Sequence, residues 1–123
     1  DVVELDGAFA GGAILPGIGM AGRALAEQTD AMPHVRFDPA RPPSPIGTST
    51  TTAIEAGLFW GAVGAIHQLI HQQSAEQSLA PDVFVTGGAG GTIAGPLAEY
   101  HRVRYEPHLV LAGIALLHDA PLP

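Results

Sequence analysis

The feature that most constrains this chain is a short apolar run that leads directly into a cluster of glycines. Val83-Phe84-Val85 is followed by Thr86-Gly87-Gly88-Ala89-Gly90-Gly91. The β-branched and aromatic residues predict a buried strand over 82–85. The glycines predict a turn over 87–91, since glycine adopts left-handed backbone conformations at little steric cost. Main chain without a Cβ can also approach a ligand closely, so this segment predicts exposed backbone at the border of a binding cleft.

Two further glycine-bearing segments come earlier in the chain. They are Gly11-Gly12-Ala13-Ile14-Leu15-Pro16-Gly17 and Ile46-Gly47-Thr48-Ser49-Thr50. The order of the three segments indicates a cleft that handles a nucleotide.

Composition excludes several classes of function. With 123 residues the chain is one domain or part of one. Cysteine is absent, which excludes disulfides and thiolate zinc sites and makes the cytoplasm the expected compartment. The chain has 12 acidic and 5 basic residues, so we expect no nucleic-acid partner. All five basic residues are arginines, which excludes a Walker A lysine within this sequence.

The ends of the chain and its longest apolar run give two more expectations. The near-continuous apolar run over 56–66 is about half as long as a bilayer crossing requires, so we expect no membrane partner. The chain opens on Asp1-Val2-Val3 without a methionine. That opening indicates a piece of a longer polypeptide.

The first half predicts a hairpin, a helix and a connector. Residues 2–5 read as a strand, Asp6-Gly7 as a two-residue hairpin turn and residues 8–15 as the returning strand. Apolar residues at helical spacing predict a helix over 18–28. Five prolines over 33–46 predict an extended surface connector.

The longest predicted element is a helix that starts near Ser49 or Thr50, where a hydroxyl can cap it, and runs to about Gln73. Gly57, Gly61 and Gly64 repeat on one face and cost about 2–3 kcal/mol of helix stability relative to alanine. This cost predicts the close approach of another backbone, from a strand of this chain or from the same helix of a partner subunit.

The second half predicts shorter elements. Residues 74–80 read as a polar linker, 92–97 as at most one helical turn, 101–105 as a short strand and 109–117 as a last helix opened by Pro107. Strands that alternate with helices predict an α/β layer architecture.

Taken together, these segments resemble the C-terminal half of a type III pantothenate kinase, a family within the acetate/sugar kinase, Hsp70 and actin superfamily. The resemblance covers nearly the whole chain and rests on residues 6–17, 46–57, 85–89 and 107–113. It implies an α/β fold of the ribonuclease H-like (actin-like ATPase) class, a mixed sheet with flanking helices. It also implies that residues 1–123 are the C-terminal domain of a two-domain kinase whose N-terminal domain lies outside this chain.

The resemblance also implies an activity and a set of site residues. The family transfers phosphate from ATP to the 4′-hydroxyl of pantothenate, the first committed step toward coenzyme A, and works as a homodimer. On the family pattern Thr50 contacts pantothenate from the partner subunit. On the same pattern the nucleotide is bound by Thr86, Gly87 and Gly88. The floor of the cleft is shaped by Gly11, Gly12 and Gly17. This chain departs from the pattern at two places: Ser49 stands where the family usually has asparagine, and Gly87-Gly88-Ala89-Gly90 replaces Gly-Gly-Leu-Ala.

The family's catalytic aspartate, its first phosphate loop and its potassium and phosphate loop correspond to sequence ahead of Asp1. The resemblance therefore implies no catalytic or metal-binding residue in this chain, which is expected to be inactive alone. For the full-length protein it implies ATP with Mg²⁺ or Mn²⁺ and a monovalent cation, K⁺ or NH₄⁺.

Other interpretations stay open at this point. A superfamily relative without catalysis would act as a dimeric binding or accessory module. The Gly-x-Gly-x-x-Gly pattern over 17–22, with Asp38 about twenty residues on, is also found in dinucleotide-binding domains, although an apparent hairpin strand precedes it. His67 and His71, one helical turn apart, could share a metal, but an exposed polar helix face explains them as well.

Overall fold

A computed structural model describes residues 1–38, 41–77 and 80–119. The chain divides into two compact units, one made of Asp1–Asp38 and Pro43–Ala80 and the other mainly of the residues from Pro81 onward. The α/β class predicted from the sequence is confirmed in its coarse form, since both units combine short strands with helices.

The first unit opens with a β-hairpin. Strand β1 (Val2–Val3) pairs antiparallel with β2 (Phe9–Gly11). The Glu4 amide donates to the Ala8 carbonyl and the Gly7 amide to the Glu4 carbonyl, both at 2.9 Å. The loop therefore has three residues, and Gly7 takes the left-handed position with φ +88°. The predicted hairpin is confirmed, but the predicted two-residue turn is wrong, and so is the length of the returning strand, which ends at Gly11.

Two helices pack together in the first unit. Helix α1 (Ile18–Glu27) agrees with the prediction, and α2 (Thr50–Gln77) starts where predicted. They cross at Gly22, where a Cβ would lie 3.4 Å from Leu58 Cδ1 and 3.9 Å from the Phe37 ring. The residues buried in this unit include Val35, Ala56, Phe59 and Val63. The connector thus contributes Val35 to the same small core as α2.

The proline-rich connector has neither helix nor strand in its described part, as predicted. It is tied to α2 by Trp60, whose indole Nε1 donates to the Pro43 carbonyl at 3.1 Å. The Trp60 ring also stands edge-on to Phe59, with the ring centroids 5.1 Å apart. The connector is therefore held on the helix although it forms no ladder of its own.

Helix α2 is longer than predicted. Residues 74–77, predicted as linker, continue the helix, and the Ser74 hydroxyl donates to the Ile70 carbonyl at 2.6 Å. By length and mean hydropathy alone, Thr50–Glu76 could cross a bilayer, which corrects the estimate made from the shorter apolar run. A core helix of a soluble protein meets the same criterion, so this is weak evidence for a membrane span.

The second unit is a strand–helix–strand unit followed by a helix. Strands β3 (Asp82–Val85) and β4 (Arg102–Tyr105) pair in parallel, with Val85 opposite Tyr105. Between them lies α3 (Gly90–Ala98), and α4 (Leu109–Asp119) follows β4. Both strands agree with prediction, but β3 is not buried, since it alternates exposed and half-buried residues. Helix α3 has nine residues, where one turn at most was predicted, and its Leu97 is buried.

Each unit contributes one pair of strands. Among the described residues, β1–β2 and β3–β4 are two separate two-stranded sheets. The finer expectation of a single ribonuclease H-like mixed sheet stays a prediction.

Candidate substrate cleft and glycine loop

The first unit contains an open cleft at the start of α2, with a volume of 840 Å³. One wall is apolar and consists of Leu25, Met32, Ile54 and Leu58. The lining also has a polar rim, the segment 47–50, which precedes and opens α2. Apolar walls with a few converging polar groups are typical of sites for small organic ligands.

Gly47 holds this rim close to the helix. A Cβ at Gly47 would collide with the backbone of Thr52 and Ala53, so only glycine fits here. Backbone atoms cannot rotate away as a side chain can. The segment that precedes α2 is therefore packed directly against the first turn of the helix.

The helix is capped by Ser49 and not by Thr50. The Thr52 amide donates to Ser49 Oγ at 3.2 Å, while the amides of Thr48 and Ser49 both donate to Thr52 Oγ1 at 3.0 Å. This reciprocal arrangement is a capping box in which threonine takes the place of the usual glutamate. Ser49, which stands where the family usually has asparagine, therefore keeps a helix-start hydrogen bond.

Thr50 is the first helical residue and has no such structural task. Its side chain is exposed and lines the cleft, and its hydroxyl makes no hydrogen bond within the described residues. The interpretation of Thr50 as the helix cap is wrong. Its hydroxyl is free to meet a ligand in the cleft.

The predicted nucleotide loop, Thr86–Gly88, lies in the second unit at the end of β3. Gly87 adopts φ +86°, which favours glycine, and its carbonyl accepts a hydrogen bond from the Gly90 amide at 3.1 Å. A Cβ at Gly88 would meet no atom within 4 Å. A Cβ at Gly90 would lie 2.9 Å from both Tyr105 Cε2 and Val85 Cγ1. Gly90 is thus needed because a side chain there would collide with Tyr105 and Val85. Gly87 is needed for its left-handed backbone conformation. Gly88 has no described atom close to the position of a Cβ.

The three glycines assigned to the cleft floor lie outside the lining of this cleft. Gly11 ends β2 with φ +115°, and a Cβ at Gly12 would lie 2.9 Å from Asp1 Cα. Gly17 precedes α1, and its carbonyl accepts from the Ala21 amide at 2.9 Å. Their role in shaping a cleft stays a prediction. Thr50 lies in the first unit and the glycine loop in the second.

Two of the alternatives find no support in this geometry. The strand ahead of α1 belongs to an antiparallel hairpin, whereas the dinucleotide fingerprint requires a parallel strand and crossover. For His67 and His71, the described ranges contain no group of three or more His, Cys, Asp or Glu side chains that could hold a metal ion.

Comparison with known proteins decides the family. A sequence model of type III pantothenate kinases matches residues 1–72, which is more than half of the chain. The chain belongs to the type III pantothenate kinase family. The resemblance stated from the glycine segments is confirmed.

Individual type III pantothenate kinases show the same relationship along nearly the whole chain. The protein of Anaeromyxobacter sp. (strain K) is 40% identical over 119 residues, and that of Cereibacter sphaeroides (strain ATCC 17025 / ATH 2.4.3) is 35% identical over 119 residues. In both cases the aligned part is 97% of this chain and 45% of the relative. The chain therefore spans about half the length of the pantothenate kinases that it matches.

Sequence reasoning missed two parts of the site. The apolar wall was missed because Leu25, Met32 and Leu58 come from separate segments that meet only when α1 packs on α2. Tyr105 was treated as an ordinary strand residue, although its hydroxyl donates to the Gly87 carbonyl at 3.2 Å. The glycines at 90 and 91 could have indicated this contact, because backbone without a Cβ leaves room for an aromatic ring to pack on it.

Proposed function

We propose that this chain is the C-terminal part of a kinase that transfers phosphate from ATP to pantothenate and forms 4′-phosphopantothenate. The observation that carries the proposal is the cleft at the start of α2, in a chain that belongs to the type III pantothenate kinase family. This cleft is lined both by Thr50, whose hydroxyl makes no hydrogen bond within the described residues, and by apolar side chains.

The cleft suits the chemistry of pantothenate. The substrate combines an apolar gem-dimethyl group with hydroxyl, amide and carboxylate groups. Leu25, Met32 and Leu58 offer apolar contact, while Thr50 offers a hydroxyl beside the first turn of a helix, whose amides favour negative charge. We propose that Thr50 hydrogen-bonds pantothenate.

The nucleotide is proposed to lie against the second unit. The segment 86–88 presents glycine backbone, and Gly88 borders space in which a Cβ would meet no atom within 4 Å. We propose that Thr86, Gly87 and Gly88 face the adenosine of ATP. The Mg²⁺ or Mn²⁺ that accompanies ATP would neutralise phosphate charge, with K⁺ or NH₄⁺ as a second cation whose ligands lie outside this chain.

We propose the ribonuclease H-like fold for the complete domain. The parallel β3–β4 pair and the separate β1–β2 hairpin are compatible with parts of one larger sheet. In α4, side chains around the helix are exposed, including Val110, Leu111, Leu116 and Leu117. Exposed apolar surface on this scale indicates that further polypeptide covers it.

The partner of α2 is proposed to be α2 of a second subunit. Among the described residues of the first unit, no atom lies within 4 Å of a Cβ built at Gly57, Gly61 or Gly64, so no strand of this unit packs on that face. The exposed positions of α2 continue as Gln68, His71 and Ala75, which completes a spacing of 4, 3, 4, 3 and 4 residues. We call these six residues the glycine stripe. Such spacing is typical of two helices that pack along one seam.

This dimer places α2 in a protein interface and not in a membrane. The buried residues Ala56, Phe59 and Val63 lie on the other side of α2, against the first unit's core. A helix buried on both sides needs the apolar character that α2 has. The cytoplasm is the compartment we propose, and the formal charge of −7 supports the absence of a nucleic-acid partner.

The activity is tested on the full-length protein. It is incubated with ATP, MgCl₂, KCl and pantothenate, and 4′-phosphopantothenate is measured by mass spectrometry. We expect product in proportion to enzyme and time. A folded sample that binds pantothenate or ATP without forming product would contradict the kinase and favour the accessory module.

Thr50 and Ser49 give a matched pair of variants for the substrate site. Thr50→Val in the full-length protein is expected to raise the KM for pantothenate about tenfold and to leave the KM for ATP unchanged, because a hydrogen bond to substrate is lost. Ser49→Ala should instead lower the free energy of unfolding by about 1 kcal/mol, because the helix loses its cap. Steady-state kinetics and urea unfolding separate the two effects. Equal changes in both KM values for Thr50→Val would refute a role in binding pantothenate.

A further inference from the structure

We propose that Tyr105 is a positioning residue that sets the conformation of the nucleotide loop and thereby the affinity for ATP. This inference rests on the proposed function of Thr86, Gly87 and Gly88. It adds a residue that lies outside the loop and acts on it from the neighbouring strand.

Tyr105 reaches the loop from the last position of β4. It stands opposite Val85, the last residue of β3, and the next amide, that of Glu106, donates to the Val85 carbonyl at 2.8 Å. The ends of the two parallel strands are thus fixed to each other. The side chain of Tyr105 starts at the point where β3 leaves for the loop.

The ring of Tyr105 occupies the space that two glycines leave free. A Cβ at Gly90 would lie 2.9 Å from Tyr105 Cε2, and a Cβ at Gly91 would lie 3.4 Å from Tyr105 Cε1. The ring therefore packs directly on the first turn of α3. Glycine at 90 and a ring at 105 fit together and exclude larger residues at 90.

The hydroxyl of Tyr105 fixes the loop itself. It donates to the Gly87 carbonyl at 3.2 Å, and the Gly90 amide donates to the same oxygen at 3.1 Å. Gly87 has φ +86°, and its carbonyl oxygen accepts both of these hydrogen bonds. Strand, loop and helix are thus connected through one side chain.

This connection matters because the loop is otherwise costly to order. Four of the six residues from Thr86 to Gly91 that follow Val85 are glycines, and glycine loses more backbone freedom on ordering than any other residue. If the loop is already ordered before the ligand binds, the entropy lost on ordering does not weaken the binding affinity. Tyr105 therefore favours ATP binding without touching ATP.

Tyr105→Phe tests the hydroxyl alone, since it keeps the ring on Gly90 and Gly91. In the full-length protein we expect the KM for ATP and the Kd for Mg²⁺–ATP to rise about threefold to tenfold, with kcat and the KM for pantothenate unchanged. Amide hydrogen exchange over 86–91 should become faster in the absence of nucleotide. Tyr100→Phe, at a residue that follows α3, removes the chain's other tyrosine hydroxyl and is the control for loss of a tyrosine hydroxyl that does not bond the Gly87 carbonyl.

The outcomes separate this inference from the function on which it rests. Unchanged ATP affinity and unchanged exchange in Tyr105→Phe, beside normal ATP binding by the wild type, would overturn the role of Tyr105 alone. Failure of the wild-type protein to bind Mg²⁺–ATP would overturn the nucleotide loop and this inference together. An equal rise of the KM for pantothenate would show that Tyr105 acts on general stability and would also overturn it.

Discussion

Replacing Gly61 by leucine in the full-length protein is expected to convert dimers into monomers and to remove most of the kinase activity. Gly61 is the middle one of the three glycines in the glycine stripe, and a Cβ there would meet no atom of the described residues within 4 Å. The leucine therefore fits the isolated subunit and even raises its helix propensity by about 1 kcal/mol. In a dimer whose two α2 helices pack closely along the glycine stripe, each subunit brings one such leucine into the interface. Overpacking of about 1–3 kcal/mol at each copy raises the dimer dissociation constant by about thirtyfold or more.

The loss of activity follows if Thr50 serves the site of the partner subunit. Sedimentation velocity over a range of concentrations measures the dimer, and the pantothenate assay at the same concentrations measures activity. Thr51→Leu is the matched control, since Thr51 is exposed on α2 but lies about a third of a turn away from the stripe. A Gly61→Leu protein that sediments as the wild-type dimer would show that another surface joins the subunits.

Replacing Gly47 by alanine is expected to damage the substrate cleft severely. The added Cβ would collide with the backbone of Thr52 and Ala53 in the first turn of α2. Because backbone cannot move aside by rotating a side chain, the whole segment 47–50 must shift. We expect the free energy of unfolding to fall by about 2–3 kcal/mol. Displacement of Thr50 by about 1 Å should lower kcat/KM for pantothenate by about a hundredfold.

Gly19→Ala provides the control for this second variant. Gly19 lies in the first turn of α1, where a Cβ would approach no atom more closely than Arg23 Nη1 at 3.9 Å. We expect Gly19→Ala to leave kinetics unchanged and stability equal or higher, by up to about 1 kcal/mol. Chemical unfolding and steady-state kinetics on both variants give the comparison. Wild-type values for Gly47→Ala would mean that the segment does not pack against α2 as described.

The elements of the first unit were predictable where one local signal dominates. Helical spacing from Ile18 and the hydroxyls before Thr50 gave the starts of both helices. The hairpin loop was misjudged because Asp6-Gly7 is the usual pair of a two-residue turn, while here Gly7 is the third loop residue. The end of α2 was missed because Ser74 reads as a linker residue, although its hydroxyl returns to the Ile70 carbonyl inside the helix.

The second unit shows why glycine content is a poor guide to helix length. Helix α3 begins at Gly90 and includes Gly91, Gly95 and Pro96, all of which argue against a helix in the sequence alone. Its contacts with Tyr105 and Val85 come from strands on either side of it in the sequence. Tertiary contacts also form the cleft. Thr50 was predicted from the family pattern, but its apolar neighbours were not, because they come from separate segments.

Trp60 gives this chain an optical probe of its own. It is the single tryptophan, it sits on the helix that carries Thr50, and its indole is bonded to the proline-rich connector. Indole emission shifts when its hydrogen bonding or exposure to water changes. Release of the connector, or a ligand that rearranges the start of α2, would therefore be visible as a fluorescence change without any added dye, and a stopped-flow instrument could time it.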